Sequence, residues 1–103
     1  MWAQLITTRL KAGKEDQLPK LYEQLRAAEQ PGTGLIRSTA MQDQNDPNRV
    51  YMLVVFESEE KAREREDDPR RGEGLQAARA TMADIFETPP EFTDLTVVEE
   101  TTY

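Results

Sequence analysis

The chain of 103 residues contains no cysteine and no histidine. It therefore has no disulfide, no thiolate nucleophile and no imidazole base, and zinc sites of the usual kind are excluded. A general base has to be Asp, Glu, Tyr, Lys or a group on the substrate, and an iron or haem ligand has to be a carboxylate, Tyr or Met. A basic stripe is missing too. The 13 Lys and Arg are scattered among 20 Asp and Glu, for a formal charge of -7, which argues against nucleic acid and anionic membranes as partners. No apolar run approaches the roughly 20 residues that span a bilayer. The N-terminus also lacks the basic-then-apolar pattern of a secretory signal, so a cytoplasmic protein is expected. The length suits one domain, residues 1–103, and so small a domain buries a modest share of its surface unless it finds a partner.

What is present reads as alternating strands and helices. Residues 2–10, WAQLITTRL, form a first strand closed by a turn at Gly13. Leu18, Leu21, Tyr22, Leu25 and Ala28 then recur at helical spacing. With Asp16 as N-cap, Pro19 falls in the first turn, where its missing N–H has no intrahelical partner to lose, and Pro31-Gly32 ends the helix. Residues 34–42 alternate Leu35, Arg37, Thr39 and Met41 against Ile36, Ser38 and Ala40, as a strand with two unlike faces does. The turn-rich residues 43–48 link it to RVYMLVVFE in an antiparallel hairpin. Ser58 caps a charged segment, residues 58–71, in which Ala62 is the only apolar residue. A helix with Leu75, Ala78, Met82 and Ile85 or Phe86 follows, broken at Pro89-Pro90. A last strand begins at residue 91, with Leu95 and Val97 on one face and Phe92 and Val98 on the other.

This order predicts an α+β fold of the ferredoxin-like, split βαβ kind: a four-stranded antiparallel sheet with helices on one face. The third strand is apolar on both sides, Val50, Met52, Val54 and Phe56 on one and Tyr51, Leu53 and Val55 on the other. A one-sided sheet alternates apolar with polar. The helices cover one face only, so a homodimer with sheets packed face to face is expected to cover the second.

The order of elements, the doubly apolar third strand running into FESEEKA, the short closing strand after TPPEFTDL and the junction VVFESEEKAR at residues 54–63 together resemble the antibiotic biosynthesis monooxygenase-like family of dimeric α+β-barrel proteins. The resemblance covers nearly the whole chain. It implies a homodimer with a pocket in each subunit between sheet and helices. Members include cofactor-independent oxygenases acting on polycyclic phenolics or quinols, haem-degrading enzymes and quinol oxygenases. Haem-degrading relatives carry a histidine on the helix after the third strand. This chain has none, and Phe56 stands where a tryptophan is often found, so haem degradation is disfavoured. The expectation is a monooxygenase-like protein, without cofactors, that acts on or binds an aromatic or polycyclic small molecule. Such oxygenases deprotonate an electron-rich substrate and pass an electron to oxygen in a dry pocket, so they need donors that orient a phenolate. A catalytically inactive dimer that binds a small molecule, or a regulatory module of the same fold with its ligand at the subunit interface, is the alternative.

Candidate pocket residues follow from chemistry. Arg37 is a cation in mid-strand between apolar Leu35 and Met41, where it steadies an anionic substrate or pairs with a carboxylate at a seam or edge. Tyr51 and Tyr22 offer hydroxyls or plain core packing, Trp2 plugs an edge of the core, and Met82 and Phe86 are helix core first and pocket wall second. Asp43, Asn45 and Asp46 resemble the start of a calcium loop without its glycine and closing glutamate, so no metal is expected. Gly32 and Gly34 lie between a helix and a strand, the reverse of the phosphate-cradling order. Residues 58–71 read as a solvated face, with pairs Glu59–Arg63 and Arg63–Asp67, or as a thinly anchored lid.

Overall fold

Thr, Ile, Val and aromatic side chains favour extended backbone because they pack well on a pleated surface. In the computed structural model, which describes residues 1–103, the two segments richest in them become the central strands of one sheet. The elements are β1 (Trp2–Arg9), α1 (Leu18–Ala28), β2 (Leu35–Gln42), β3 (Arg49–Phe56), α2 (Glu59–Glu66), α3 (Gly72–Ile85) and β4 (Glu91–Thr96). Short 3-10 turns at Glu15–Gln17 and Pro69–Arg71 lead into α1 and α3. The sheet order is β2-β3-β1-β4, and every neighbouring pair is antiparallel. This is the ferredoxin-like arrangement the element order predicts.

Register decides which side chains meet the helices. Trp2 pairs with Phe56, Gln4 with Val54, Ile6 with Met52 and Thr8 with Val50, so these residues share one face. On that face Val50 packs with Leu18 and Leu21 of α1 and with Ala78 and Ile85 of α3. Trp2, Val54 and Phe56 pack instead with Ala62 of α2. The core is thus two clusters side by side. Helices α1 and α3 cross closely, since a Cβ on Gly74 would lie 2.8 Å from the Ala28 Cβ.

The opposite face carries Ala3, Leu5, Tyr51, Leu53 and Val55 and receives no helix. One row of it is covered from within the chain. The Val97 N–H donates to the Met1 carbonyl at 3.3 Å, and Glu100 Oε1 lies 2.7 Å from Arg37 Nη1. Arg37 stands on the edge strand opposite β4, so residues 97–100 cross the sheet. Three strand spacings are about 14 Å, which four extended residues and two long side chains reach. Beneath the crossing lies the row Leu95, Ala3, Val55 and Arg37. It accounts for the burial of Ala3 and Val55, 4% and 2% exposed. Further along, Met41 and, at the row's edge, Leu95 remain exposed.

Three local expectations are corrected. Asp16 does not cap α1. The 3-10 turn runs directly into the helix, so the cap position falls on Gln17, which makes no side-chain cap bond; Pro19 still sits in the first turn. In β2 the register shifts between Leu35 and Arg37. The irregularity at Ile36 sends Leu35 to the helix side, where it packs on the Trp2 cluster, while Arg37 keeps the outer face. Finally, regular β4 ends at Thr96, and Val97 and Val98 belong to the crossing tail.

Candidate functional site

The two clusters under the three helices leave a space between them. A cavity of about 1160 Å³ lies between the helix side of the sheet and α1, α2 and α3, and its lining draws on both clusters. One wall is aromatic: the Trp2 and Phe56 ring centres lie 5.9 Å apart at an interplanar angle of 48°. Tyr22, Met52, Met82 and Phe86 extend the apolar lining. Burial pushes the Tyr22 hydroxyl above the ordinary tyrosine range, so at neutral pH it is protonated and able to donate.

Helix α2 closes the aromatic end, although Ala62 is its only buried residue. Its N-terminus is capped as the sequence predicts, the Ser58 hydroxyl accepting from the Lys61 N–H at 3.2 Å. Arginines hold the rest. The Arg63 guanidinium lies 5.1 Å from the Trp2 ring centre and that of Arg65 5.4 Å from the Phe56 ring centre, distances at which a cation is attracted to a ring face. Arg63 pairs with Glu59 (3.2 Å), Glu66 (2.9 Å) and Asp94 of β4 (2.9 Å). The expected Arg63–Asp67 pair does not form, because Arg63 turns toward β4 instead. Arg65 Nε and Nη2 both donate to Glu29 Oε2, at 2.9 and 2.6 Å, while the Thr33 hydroxyl donates to Glu29 Oε1 at 2.7 Å. This segment is therefore pinned across the cavity at two points, to β4 and to the end of α1.

These pairs set the protonation of the site. Burial pushes the Glu29 carboxyl upward, but hydrogen bonds from Arg65 and Thr33 outweigh it, and the group titrates below its ordinary value. Asp94 is held low by Gln4, whose amide donates to it at 3.0 Å, and by Arg63. A carboxyl with a depressed folded pKa contributes stability that is full above its unfolded value and is lost as pH falls through the folded one. The midpoint of thermal unfolding should accordingly drop as pH falls below about 4.3, the ordinary Glu value. The Glu29→Gln variant is expected to lose about 1 kcal/mol at pH 7 and to show a flatter acid limb. Identical pH profiles for the two proteins would contradict the Glu29 bridge.

Arg71 stands apart from its neighbours. It is 8% exposed, borders the cavity, donates from Nη1 to the Arg65 carbonyl at 3.0 Å, and leaves Nε without a partner. Burial, then the positive charge of Arg65, draws its pKa below the usual arginine value.

Of the residues singled out in the sequence, Trp2, Tyr22, Met82 and Phe86 border the cavity together. Tyr51 borders it through its place in β3, but strand alternation gives its ring to the outer face, where the Arg49 guanidinium lies 5.7 Å from the ring centre. Arg37 is not at the cavity: it faces outward and pairs with Glu100, the seam or edge role weighed beside the substrate role. The sequence reading missed Arg63, Arg65 and Arg71, because a search for apolar periodicity counts a run of alternating charge as solvated. For Arg63 and Arg65 the one available signal was their place on the helix directly after the aromatic end of β3. No cluster of three carboxylates that could hold a metal ion is present, and no helix is long and apolar enough to cross a membrane.

Comparison with known proteins agrees with this geometry. Residues 1–74 match the family described as antibiotic biosynthesis monooxygenase. Among solved structures, a proposed antibiotic biosynthesis monooxygenase from Nitrosomonas europaea superposes with a TM-score of 0.75 at 16% identity, covering 96% of this chain and 100% of its own. One from Bordetella bronchiseptica gives 0.75 at 17%, covering 95% and 97%. A protein of unknown function from Nitrosomonas europaea gives 0.75 at 15%, covering 99% and 93%. Identities this low establish a shared fold. No curated protein matches the chain.

Proposed function

The chain belongs to the antibiotic biosynthesis monooxygenase family, and from that premise we propose that it binds an electron-rich aromatic small molecule in the cavity between sheet and helices and oxygenates it as a homodimer. The observation that carries this reading is the cavity itself. Its volume of about 1160 Å³ accommodates a molecule of several fused rings. Trp2, Phe56 and Met52 supply flat, polarisable walls, and the Tyr22 hydroxyl supplies a donor for a phenolic oxygen. Arg63 and Arg65 lie over the rings at that end. The dimer rests on the outer face, where Leu5, Tyr51 and Leu53 await cover beyond the row crossed by the tail.

One observation favours binding without turnover. The cavity's carboxylates, Glu29, Glu66 and Asp94, are each paired with an arginine, and a carboxylate so held is a weak base. A substrate must then arrive ionised or lose its proton to oxygen-derived species. An oxygen electrode separates the readings. With 1,4-dihydroxynaphthalene, oxygen uptake well above the protein-free rate supports the oxygenase. Uptake equal to the protein-free rate, with the compound bound, supports the binding protein, and absence of both refutes the proposal.

A further inference from the structure

Positive charge collects around the cavity of an acidic protein. The chain has 20 Asp and Glu against 13 Lys and Arg, yet the cavity is bordered by five arginines, at 26, 63, 65, 71 and 79, and by three carboxylates, Glu29, Glu66 and Asp94. The three carboxylates are consumed internally, Glu29 by Arg65 and the other two by Arg63. Arg26, Arg71 and Arg79 are left without an ion pair. Arg26 and Arg79 are exposed, and water satisfies them. Arg71 is different, because it is more than nine-tenths buried, and a buried guanidinium with no carboxylate is expensive to keep. Its only side-chain bond goes from Nη1 to the Arg65 carbonyl. The unpartnered Nε belongs to the edge of the guanidinium that grips a carboxylate at two points. The nearby carboxylates do not fill it: Glu29 accepts from Arg65 and Thr33, Asp68 accepts from Arg70, and neither bonds Arg71.

We propose that the cavity's ligand carries a carboxylate that pairs with Arg71, so the site takes aromatic acids in preference to neutral aromatic molecules. The ring system lies along the Trp2 and Phe56 wall, and the acid completes the one buried cation that the protein leaves open. This inference rests on the reading of the cavity as an aromatic small-molecule site. It narrows the substrate class to molecules with an apolar ring portion and an anionic end. It also gives the rim arginines a role, because Arg26 and Arg79 raise the local concentration of such anions against the protein's overall negative charge.

Isothermal titration calorimetry of the full chain with 2-naphthoate and 2-naphthamide tests this. The two probes differ in charge and scarcely in size or apolar area. Naphthoate is expected to bind at least about tenfold more tightly, as a charge-assisted bond to a buried guanidinium gives. The Arg71→Met variant should lose that preference and keep the amide's affinity, while Arg71→Lys should retain part of it. Equal affinities for the unaltered protein overturn the inference and leave the cavity reading standing. Failure of both probes to bind overturns the two together. A preference that survives in folded Arg71→Met also overturns it. The comparison on the unaltered protein decides the matter even where a variant fails to fold.

Discussion

Replacing Leu53 by Asp is expected to reduce the particle from two chains to one without unfolding it. Leu53 sits at the middle of β3 on the helix-free face, beside Leu5 of β1 and Thr39 of β2. The crossing tail covers the row through Ala3 and Val55 and leaves Leu53 outside it. In a lone subunit, a carboxylate at position 53 projects into water and costs little. At the centre of a sheet-to-sheet interface it is an unpaired buried charge, a penalty of about 3 kcal/mol or more, which multiplies the dissociation constant by more than about 100. Sedimentation at micromolar concentration reads the result. Two chains for the parent and one for Leu53→Asp, with unchanged circular dichroism, is the expected pair of outcomes. A parent that sediments as one chain, or a variant that still sediments as two, refutes the proposed interface.

The second large effect concerns the core. Ile85 is 0% exposed and packs with Leu10, Leu18, Leu21, Val50 and Ala78 in the fully filled cluster. Truncating it to Ala removes transfer free energy and leaves a void, about 3 kcal/mol together, a large share of the stability of about 5 to 15 kcal/mol typical of a domain. The midpoint of thermal unfolding should fall by about 15 °C. Met82 lies one turn earlier on α3 but borders the cavity, so its side chain has protein on one side only. Met82→Ala should cost about 1 kcal/mol and shift the midpoint by about 5 °C. The contrast between the two variants is the informative quantity. Equal losses would mean that Met82 is packed all round and that the space beside it does not exist.

The strands and their order were legible in the sequence because period-2 patterning and turn residues mark them, and the ferredoxin-like sheet follows from that order alone. The doubly apolar β3 marked a second apolar face, of which the chain's own tail covers one row. Tyr22, Met82 and Phe86 were legible as apolar helix positions from their spacing, and Trp2 as a plug at the core's edge; that they border one cavity comes from the fold. Arg37 was legible as either a substrate contact or one half of an ion pair at a seam or edge, and its partner was not, because Glu100 lies 63 residues later in a tail with no pattern of its own. The register shift at Leu35 leaves no trace in a strand that alternates in either reading. Arg63 and Arg65 were hidden for a related reason. Their attachment to Trp2 and Phe56 arises from ring faces and carboxylates on other elements, and a run of acids and arginines looks the same whether it faces water or roofs a cavity. Arg71 was hidden most deeply, since a charged residue between two prolyl and glycyl turns is ordinarily exposed.

We place the aromatic molecule in the cavity between sheet and helices. Nuclear magnetic resonance of the 15N-labelled chain titrated with 2-naphthoate tests that most directly. Shifts confined to the amides and indole of Trp2, and to the amides of Phe56, Ala62, Arg71 and Met82, are the predicted result, with the outer-face residues Leu53 and Arg37 unmoved. Shifts centred on Arg37, Leu53 and the tail, or no shifts at millimolar probe, would contradict it.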